Sequence, residues 1–263
     1  MDFLAKIVAQ KMEESLRLFE AGVAEEFKAA IAGRPAPLSL KAALDKTKGR
    51  AIIAEVKRAS PSKGELAMGW DPVELAKVYQ ANGAAAISVL TERAFFKGDP
   101  DFIRRMRPEI SIPILRKDFI LEPIQVYETA ALGADALLLL VRLLDLGQLQ
   151  ALLLLTRSLR MEALVEVHTR EEMQTALAAG AKLIGINHRD LQTFELDMER
   201  ALELAPLAPP EVTLVAASGL KTPADLERLE QGGIRAFLIG GTLVTDADPG
   251  AKLREFLGDG GAG

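Results

Sequence analysis

The sequence predicts an α/β fold, a single (βα)8 TIM barrel with an N-terminal helical extension. The chain has 263 residues, close to the roughly 250 that such a barrel needs. From residue 51 onward, short apolar runs alternate with amphipathic stretches, and the runs are continuous, as in parallel strands buried on both faces. Glycines that end predicted helices recur about every 50 residues, which is room for two βα units.

Residues 1–50 precede the first predicted strand, and their apolar residues have helical spacing. Fifty residues are too few for an independent core, so we expect this extension to pack on the barrel. A helix is predicted to begin at Ser39, after a proline-rich break at 34–37. The barrel is expected over 51–257, and the glycine-rich segment 258–263 is expected to be a flexible tail.

Eight strands are predicted, at 51–56, 86–90, 113–116, 136–141, 162–167, 182–187, 212–217 and 236–240. Helix starts are predicted at Asp71-Pro72 and Thr222-Pro223, and Thr169 has the spacing of a capping box with Glu172. Helix ends are predicted at four glycines, which favour the left-handed position past the last turn: Gly83, Gly133, Gly180 and Gly233. An open doubly wound sheet is the alternative, but no GxGxxG motif follows the first strand.

Composition excludes several function classes. A net charge of −5 provides no basic face for nucleic acid. The lack of cysteine excludes disulfides and thiolate chemistry, and two histidines are too few for a metal site built from histidines. No signal peptide is evident, and no apolar run reaches the ~20 residues of a membrane span, so we expect a cytoplasmic protein without a membrane partner.

Charged and polar residues cluster at the carboxyl ends of the predicted strands, where barrel active sites lie. Because side chains alternate along a strand, three pairs are each expected to share one face: Glu55 with Lys57, Glu166 with His168, and Asn187 with Arg189. Lys117 follows the third strand. Structural ion pairs are the alternative explanation, and either His168 or His188 could be a histidine without a catalytic role.

The last two strands end in small residues, Ser218-Gly219 and Gly240-Gly241-Thr242. Glycines there allow backbone N–H groups to approach an anion, and the loops after strands seven and eight commonly bind phosphate in such barrels. The sequence therefore predicts a phosphorylated small-molecule ligand.

Six segments at these strand ends resemble indole-3-glycerol phosphate synthase, in the family's order along the chain. They are IAEVKRASPS at 53–62, SVLTE at 88–92, LRKDFI at 115–120, LVEVH at 164–168, GINHRDL at 185–191 and FLIG at 237–240. The resemblance implies a carboxy-lyase of tryptophan biosynthesis that acts on 1-(o-carboxyphenylamino)-1-deoxyribulose 5-phosphate. It also implies that no metal or organic cofactor is required, and the chain is expected to be a monomer or a weak homo-oligomer.

The resemblance also implies roles for individual residues. Lys117 would protonate the ribulose carbonyl oxygen during ring closure, and Glu166 would serve as acid and base in the dehydration. Lys57 would bind the substrate carboxylate, oriented by Glu55. The other implied site residues are Asn187 and Arg189 for substrate hydroxyl and anionic groups, Ser60, Pro61, Phe96, Phe119 and Leu238 around the aromatic ring, and Ser218, Gly219, Gly240 and Gly241 for the phosphate.

One position departs from the family pattern. Ala217 stands where the family usually has an acidic residue before the Ser-Gly of strand seven, so slower turnover than in relatives is expected. Two alternatives remain at this stage. One is a non-catalytic or engineered barrel that binds phosphorylated ligands. The other is a different phosphate-binding enzyme, such as phosphoribosylanthranilate isomerase, which would typically use a cysteine that this chain lacks.

Overall fold

The structure, a computed structural model, describes residues 3–60, 64–66 and 69–258. Strands β1 to β8 span Ala51–Val56, Ala86–Leu90, Ile114–Lys117, Ala136–Leu140, Glu162–Val167, Leu183–Asn187, Thr213–Ala217 and Ala236–Ile239. Helices α1 to α12 span Phe3–Glu20, Ala24–Ala32, Leu40–Lys46, Pro72–Ala81, Asp101–Met106, Pro123–Leu132, Leu146–Ser158, Arg170–Ala178, Arg200–Leu204, Pro223–Gln231, Gly241–Val244 and Pro249–Leu257. Shorter elements are the 3₁₀ turns Val141–Leu143 and Ala205–Leu207, and an antiparallel ladder of Ala59–Ser60 with Gly64–Glu65.

The eight strands form a closed parallel barrel in sequence order. Closure is made by β1, which pairs with β2 on one side and with β8 on the other, for example Ile53 with Ala86 and with Leu238. The predicted barrel is therefore confirmed, and the open doubly wound sheet is wrong. Closure brings all eight carboxyl ends to one face of the molecule.

Most element boundaries lie within one residue of those predicted. The third strand begins at Ile114 rather than at Pro113, because a proline has no N–H to donate to a neighbouring strand. The eighth strand ends at Ile239, because Gly240 is already the N-cap of α11. The four helix-ending glycines have φ between 83° and 93°, the left-handed conformation that the sequence predicted for them.

The alternation of side chains along the strands separates two apolar cores. In β1, Ile53 points into the barrel, whereas Ile52 and Ala54 face the surrounding helices. The inner core contains side chains from all eight strands, with Leu4 and Ile7 of α1 and Leu40 and Leu44 of α3. Because the barrel interior is filled by side chains, only its two ends are free for other functions.

Helix α3 closes the amino end of the barrel. Its N-cap Ser39 donates a hydrogen bond to Glu162, the first residue of β5, at 2.8 Å. Thr213, the first residue of β7, donates to Asp45 near the end of the helix at 2.7 Å. With the amino end covered in this way, the carboxyl end is the open face.

Helix α1 reaches the carboxyl end through a buried ion-pair network. Lys11 Nζ lies 2.9 Å from Asp118 Oδ1, and Arg116 Nη2 lies 3.1 Å from Asp118 Oδ2. Thr91 adds a hydrogen bond of 2.6 Å to the same carboxylate. Burial by itself would raise the pKa of Asp118, but the charges of Arg116 and Lys11 outweigh burial and hold the pKa at about 2. The network ties the extension to the residue that follows Lys117.

Replacing Lys11 with methionine should destabilise the protein by about 3 kcal/mol at pH 7, because it leaves a buried carboxylate with one cation fewer. Since the folded-state pKa of Asp118 lies below its unfolded value of 3.8, the stabilisation is present above pH 4 and is lost as the pH falls toward 2. The destabilisation should therefore shrink over that range. Urea unfolding of both proteins between pH 7 and pH 2 measures it.

Lys28→Met is a matched control, because Lys28 pairs with Glu25 on the surface and its side chain is 56% exposed. This control should leave the stability almost unchanged at any pH, because solvent screens an exposed pair. Equal effects of the two substitutions would contradict the role of the buried network.

Candidate active site

A pocket opens at the carboxyl end of the barrel and is lined by residues from all parts of the chain. Nearly every site residue named from the sequence contributes to it: Glu55, Lys57, Ser60, Phe96, Lys117, Phe119, Glu166, Asn187, Arg189, Ser218, Gly219, Leu238, Gly240 and Gly241. Pro61, the remaining predicted site residue, lies outside the described residues. Predicted site residues as far apart in sequence as Glu55 and Gly241, 186 positions, therefore meet in one cavity.

Lys117 and Glu166 face each other across this pocket from β3 and β5. Lys117 Nζ lies 3.5 Å from Glu166 Oε2, and Asn187 Nδ2 at the end of β6 donates to Glu166 Oε1 at 2.9 Å. Burial raises the pKa of Glu166, but Lys117, His168 and the Asn187 hydrogen bond more than compensate, so the pKa lies below its ordinary value. The carboxylate is thus held ionised beside an ammonium group, a suitable arrangement for paired acid and base catalysis.

Glu55 and Lys57 form a second pair at the end of β1. Lys57 Nζ lies 2.5 Å from Glu55 Oε1, and the carboxylate is almost fully buried. Gly240 lies against this carboxylate so closely that a Cβ atom at residue 240 would overlap it. The glycine after β8 is therefore required by the position of Glu55, in addition to any role in binding an anion.

The two histidines lie outside the lining of the pocket. His168 was expected to face the barrel mouth together with Glu166, but its side chain is 1% exposed and packs behind that carboxylate toward α8. The expected capping box is also altered, because the Glu172 carboxylate accepts from the backbone N–H of His168 rather than from Thr169. His188 is fully buried, and its Nδ1 lies 2.9 Å from the carbonyl oxygen of Ser218.

An aromatic wall closes one side of the pocket. Phe96 and Phe119 lie 6.3 Å apart between ring centroids, and Glu92 holds the loop before Phe96 through hydrogen bonds from three consecutive backbone N–H groups. Among the lining residues that sequence reasoning missed are two aromatic ones, Phe3 of α1 and Phe194 of the loop after β6, whose ring centroids lie 5.2 Å apart. The N-terminal helix therefore contributes to the site directly.

The loops after β7 and β8 provide a site for an anion. Ser218 and Gly219 both have positive φ, 69° and 78°, which turns the chain sharply at the end of β7. Helix α11 begins at Gly241, where an added Cβ would meet no atom within 4 Å. Lys221, also missed from the sequence, lines the pocket beside these loops. Backbone N–H groups and a nearby cation are suited to a phosphate group.

The charges of the lining favour an anionic ligand. The cations Lys57, Lys117, Arg189 and Lys221 outnumber the anions, which are Glu55, Asp118 and Glu166. Asp118 is already neutralised by Lys11 and Arg116, so the balance toward the ligand is more positive than this count suggests. Among the described residues, no three acidic or histidine side chains are grouped so that they could hold a metal ion.

Ala217 lies at the carboxyl end of β7 and lines the pocket with a side chain that is nearly buried. It pairs in register with Asn187 of β6 and Leu238 of β8, so it is in the same layer as the groups around Glu166. A longer side chain at this position would project among the catalytic candidates.

Comparisons with known proteins agree with this geometry. The sequence model of the family "Indole-3-glycerol phosphate synthase" matches residues 4–256. A protein of that name from Carboxydothermus hydrogenoformans is 49% identical over 84% of this chain and 85% of its own, and one from Desulfotalea psychrophila is 44% identical over 97% of this chain and 98% of its own.

Solved structures share the fold at low sequence identity. A 3-hexulose-6-phosphate synthase superposes with a TM-score of 0.64 at 15% identity, covering 80% of this chain and 99% of that one. Thiamine phosphate pyrophosphorylase from Pyrococcus furiosus gives 0.57 at 15% identity, covering 79% and 93%. Of the helices in the described ranges, none has the length and apolar character needed to cross a lipid bilayer.

Proposed function

The chain belongs to the indole-3-glycerol phosphate synthase family, and from this premise we propose how its own residues carry out the reaction. The substrate is 1-(o-carboxyphenylamino)-1-deoxyribulose 5-phosphate. The reaction closes a new pyrrole ring, with loss of carbon dioxide and then of water. The chemistry needs a proton delivered to a carbonyl oxygen and, later, a hydroxyl group that leaves as water.

Lys117 is the general acid of ring closure in this proposal, and Glu166 is the acid and base of the dehydration. The observation that carries the assignment is their convergence, with Nζ and Oε2 3.5 Å apart across one pocket although the residues come from different strands. Asn187 holds Glu166 in place through its 2.9 Å hydrogen bond. A catalytic group is effective only when its position is fixed in this way relative to the reacting atoms.

The substrate carboxylate binds to Lys57, which Glu55 orients, and Arg189 supplies a further cation. Arg189 is itself held in place by a 2.8 Å hydrogen bond from Nη1 to the carbonyl oxygen of Phe194. The anthranilate ring lies against Phe96 and Phe119, while Ser60 and Leu238 complete this part of the pocket. A substrate with a carboxylate at one end and a phosphate at the other thus meets cations at both ends.

The phosphate group binds to the backbone of the loops after β7 and β8, at Ser218, Gly219, Gly240 and Gly241, with Lys221 nearby. We propose that the enzyme is active as a monomer or as a weak homo-oligomer. We also place the enzyme in the cytoplasm, where a biosynthetic reaction of this kind would be carried out.

The activity is tested by mixing the purified chain with the synthetic carboxyphenylamino substrate and following indole fluorescence. The synthase produces indole emission, whereas a phosphoribosylanthranilate isomerase or a non-catalytic barrel does not. A lack of emission from folded protein at saturating substrate would overturn the proposed function.

Replacing Gly241 with aspartate should raise KM at least about tenfold, with a smaller effect on kcat. A side chain at residue 241 meets open space, so the fold tolerates it, and the new carboxylate lies where the substrate phosphate binds. In Gly241→Asn the new side chain has the size of aspartate but no charge. This variant separates charge repulsion of the substrate phosphate from steric hindrance, and it should raise KM much less. Similar KM values for the two variants would contradict a phosphate site at this loop.

A further inference from the structure

His168 is a buried histidine beside the residue that we place at the centre of the dehydration. Its Nε2 lies 3.6 Å from Glu166 Oε1, and its Nδ1 lies 3.3 Å from Glu172 Oε2. The ring is therefore between two carboxylates. Nε2 is buried without a hydrogen-bond partner in the described structure, although a carboxylate oxygen is within reach of a small side-chain movement.

The tautomer of His168 is determined by the Glu172 side. Burial raises the pKa of Glu172, but hydrogen bonds from His168 and Arg142 outweigh it and lower the pKa, so this carboxylate stays ionised. It also accepts from the backbone N–H of His168 at 2.6 Å. An ionised Glu172 favours a proton on Nδ1, which leaves the lone pair of a neutral ring on Nε2, aimed at Glu166.

A lone pair aimed at an ionised carboxylate is unfavourable, and one added proton removes the conflict in either of two ways. If Glu166 holds the proton, Oε1–H donates to Nε2. If His168 holds it, Nε2–H donates to Oε1. Both arrangements have the same heavy-atom positions and differ only in the place of the proton.

We propose that Glu166 and His168 share one proton, and that His168 is a positioning residue which lets Glu166 alternate between base and acid. This inference rests on the proposed role of Glu166. With the shared proton on Nε2, the ionised Glu166 removes a proton from the reacting substrate through Oε2, and an Oε2–H bond forms as the bond to hydrogen in the substrate breaks. Glu166 then gives this proton to the departing hydroxyl group, which leaves as water, and the carboxylate is ionised again beside the Nε2–H of His168. No proton is gained or lost by the pair over the cycle.

The charged groups around the pair suit such a transfer. Lys117 on β3 faces the other oxygen of Glu166 and favours its ionised form. Glu172 on α8 faces Nδ1, and Arg142 in the turn after β4 pairs with Glu172 at 3.1 Å. A cation thus lies beyond Glu166 on one side, and a carboxylate stabilises the protonated ring on the other. Both charges favour the arrangement in which His168 holds the proton and Glu166 is ionised, so the pair is ready to act as a base.

The shared proton can be observed without turnover. The chain has two histidines, so a protein with ¹⁵N-labelled histidine shows two rings, and the signals lost in His168→Asn identify His168. We expect its Nε2 resonance to move in Glu166→Gln, which keeps the shape of the side chain but cannot exchange the proton. Glu55→Gln, which neutralises the other buried pocket carboxylate, is the control and should leave the resonance in place. If the Nε2 resonance does not move in Glu166→Gln, the proposal is overturned, whether or not the native chain is an active synthase.

Kinetics provide the second test. His168→Asn should lower kcat by roughly 10- to 100-fold, with KM within about threefold, and should change the pH profile of kcat. If this variant does not fold, Glu172→Gln replaces it, because it keeps the shape of the side chain while removing the charge that faces Nδ1 of His168 and Arg142. This second variant should lower kcat less but alter the pH profile in the same way. A folded variant with native kcat and an unchanged pH profile would refute the role of His168, whereas a native chain without indole emission would refute the proposed function instead.

Discussion

Replacing Lys117 with alanine should lower kcat by about 10³-fold while leaving KM within a few fold. The ammonium group delivers a proton to the carbonyl oxygen only as the ring closes, so its loss affects the transition state more than the bound substrate. General acid catalysis typically contributes 10²- to 10⁴-fold, and the expected loss lies within that range. Indole emission at saturating substrate measures kcat directly.

Two further variants distinguish proton transfer from simple electrostatics. Lys117→Arg keeps the positive charge beside Glu166 but holds its proton too tightly to donate it, so it should be nearly as slow as the alanine variant. Lys221→Ala removes a lysine from the same pocket near the phosphate loops and should raise KM instead. Substantial turnover by the arginine variant would show that charge alone is required at residue 117.

The architecture and much of the site could be predicted because both depend on local rules. Buried parallel strands produce continuous apolar runs, and left-handed glycines end helices at regular intervals, so the barrel follows from features visible in short windows of sequence. Closure of the barrel then brings the strand ends together, whatever the distance between them along the chain. This is why the sequence alone predicts that Lys117 and Glu166 meet.

What could not be predicted depends on contacts between distant segments. Helical spacing in α1 shows that one face is buried, but not that Phe3 lines the pocket or that Lys11 reaches Asp118. Strand alternation predicts that His168 lies on the same side as Glu166, but it does not predict how deeply His168 is buried. The burial of His168 is set by the packing of α8, and the partner of Lys11 is set by the packing of the N-terminal extension. No local sequence pattern describes either.

Ala217→Glu should raise kcat by about 10²-fold if the small residue at the end of β7 limits turnover. The family resemblance places an acidic side chain at this position, and here Ala217 leaves the layer of Asn187 and Leu238 without it. A polar group aimed at the reacting atoms is commonly worth that much. The cations lining the pocket can accommodate one more carboxylate, although weaker attraction of the anionic substrate should raise KM a few fold.

Ala217→Gln separates the chemistry of the carboxylate from the filling of space. It has nearly the same volume as glutamate but cannot exchange a proton, so it should not increase kcat. Both variants bury a polar group that the native chain lacks, and both should therefore melt at a lower temperature. If the glutamate variant is stable enough to assay and its kcat equals that of the native chain, Ala217 does not limit the reaction, and the groups already present, Lys117 and Glu166 above all, are sufficient for full turnover.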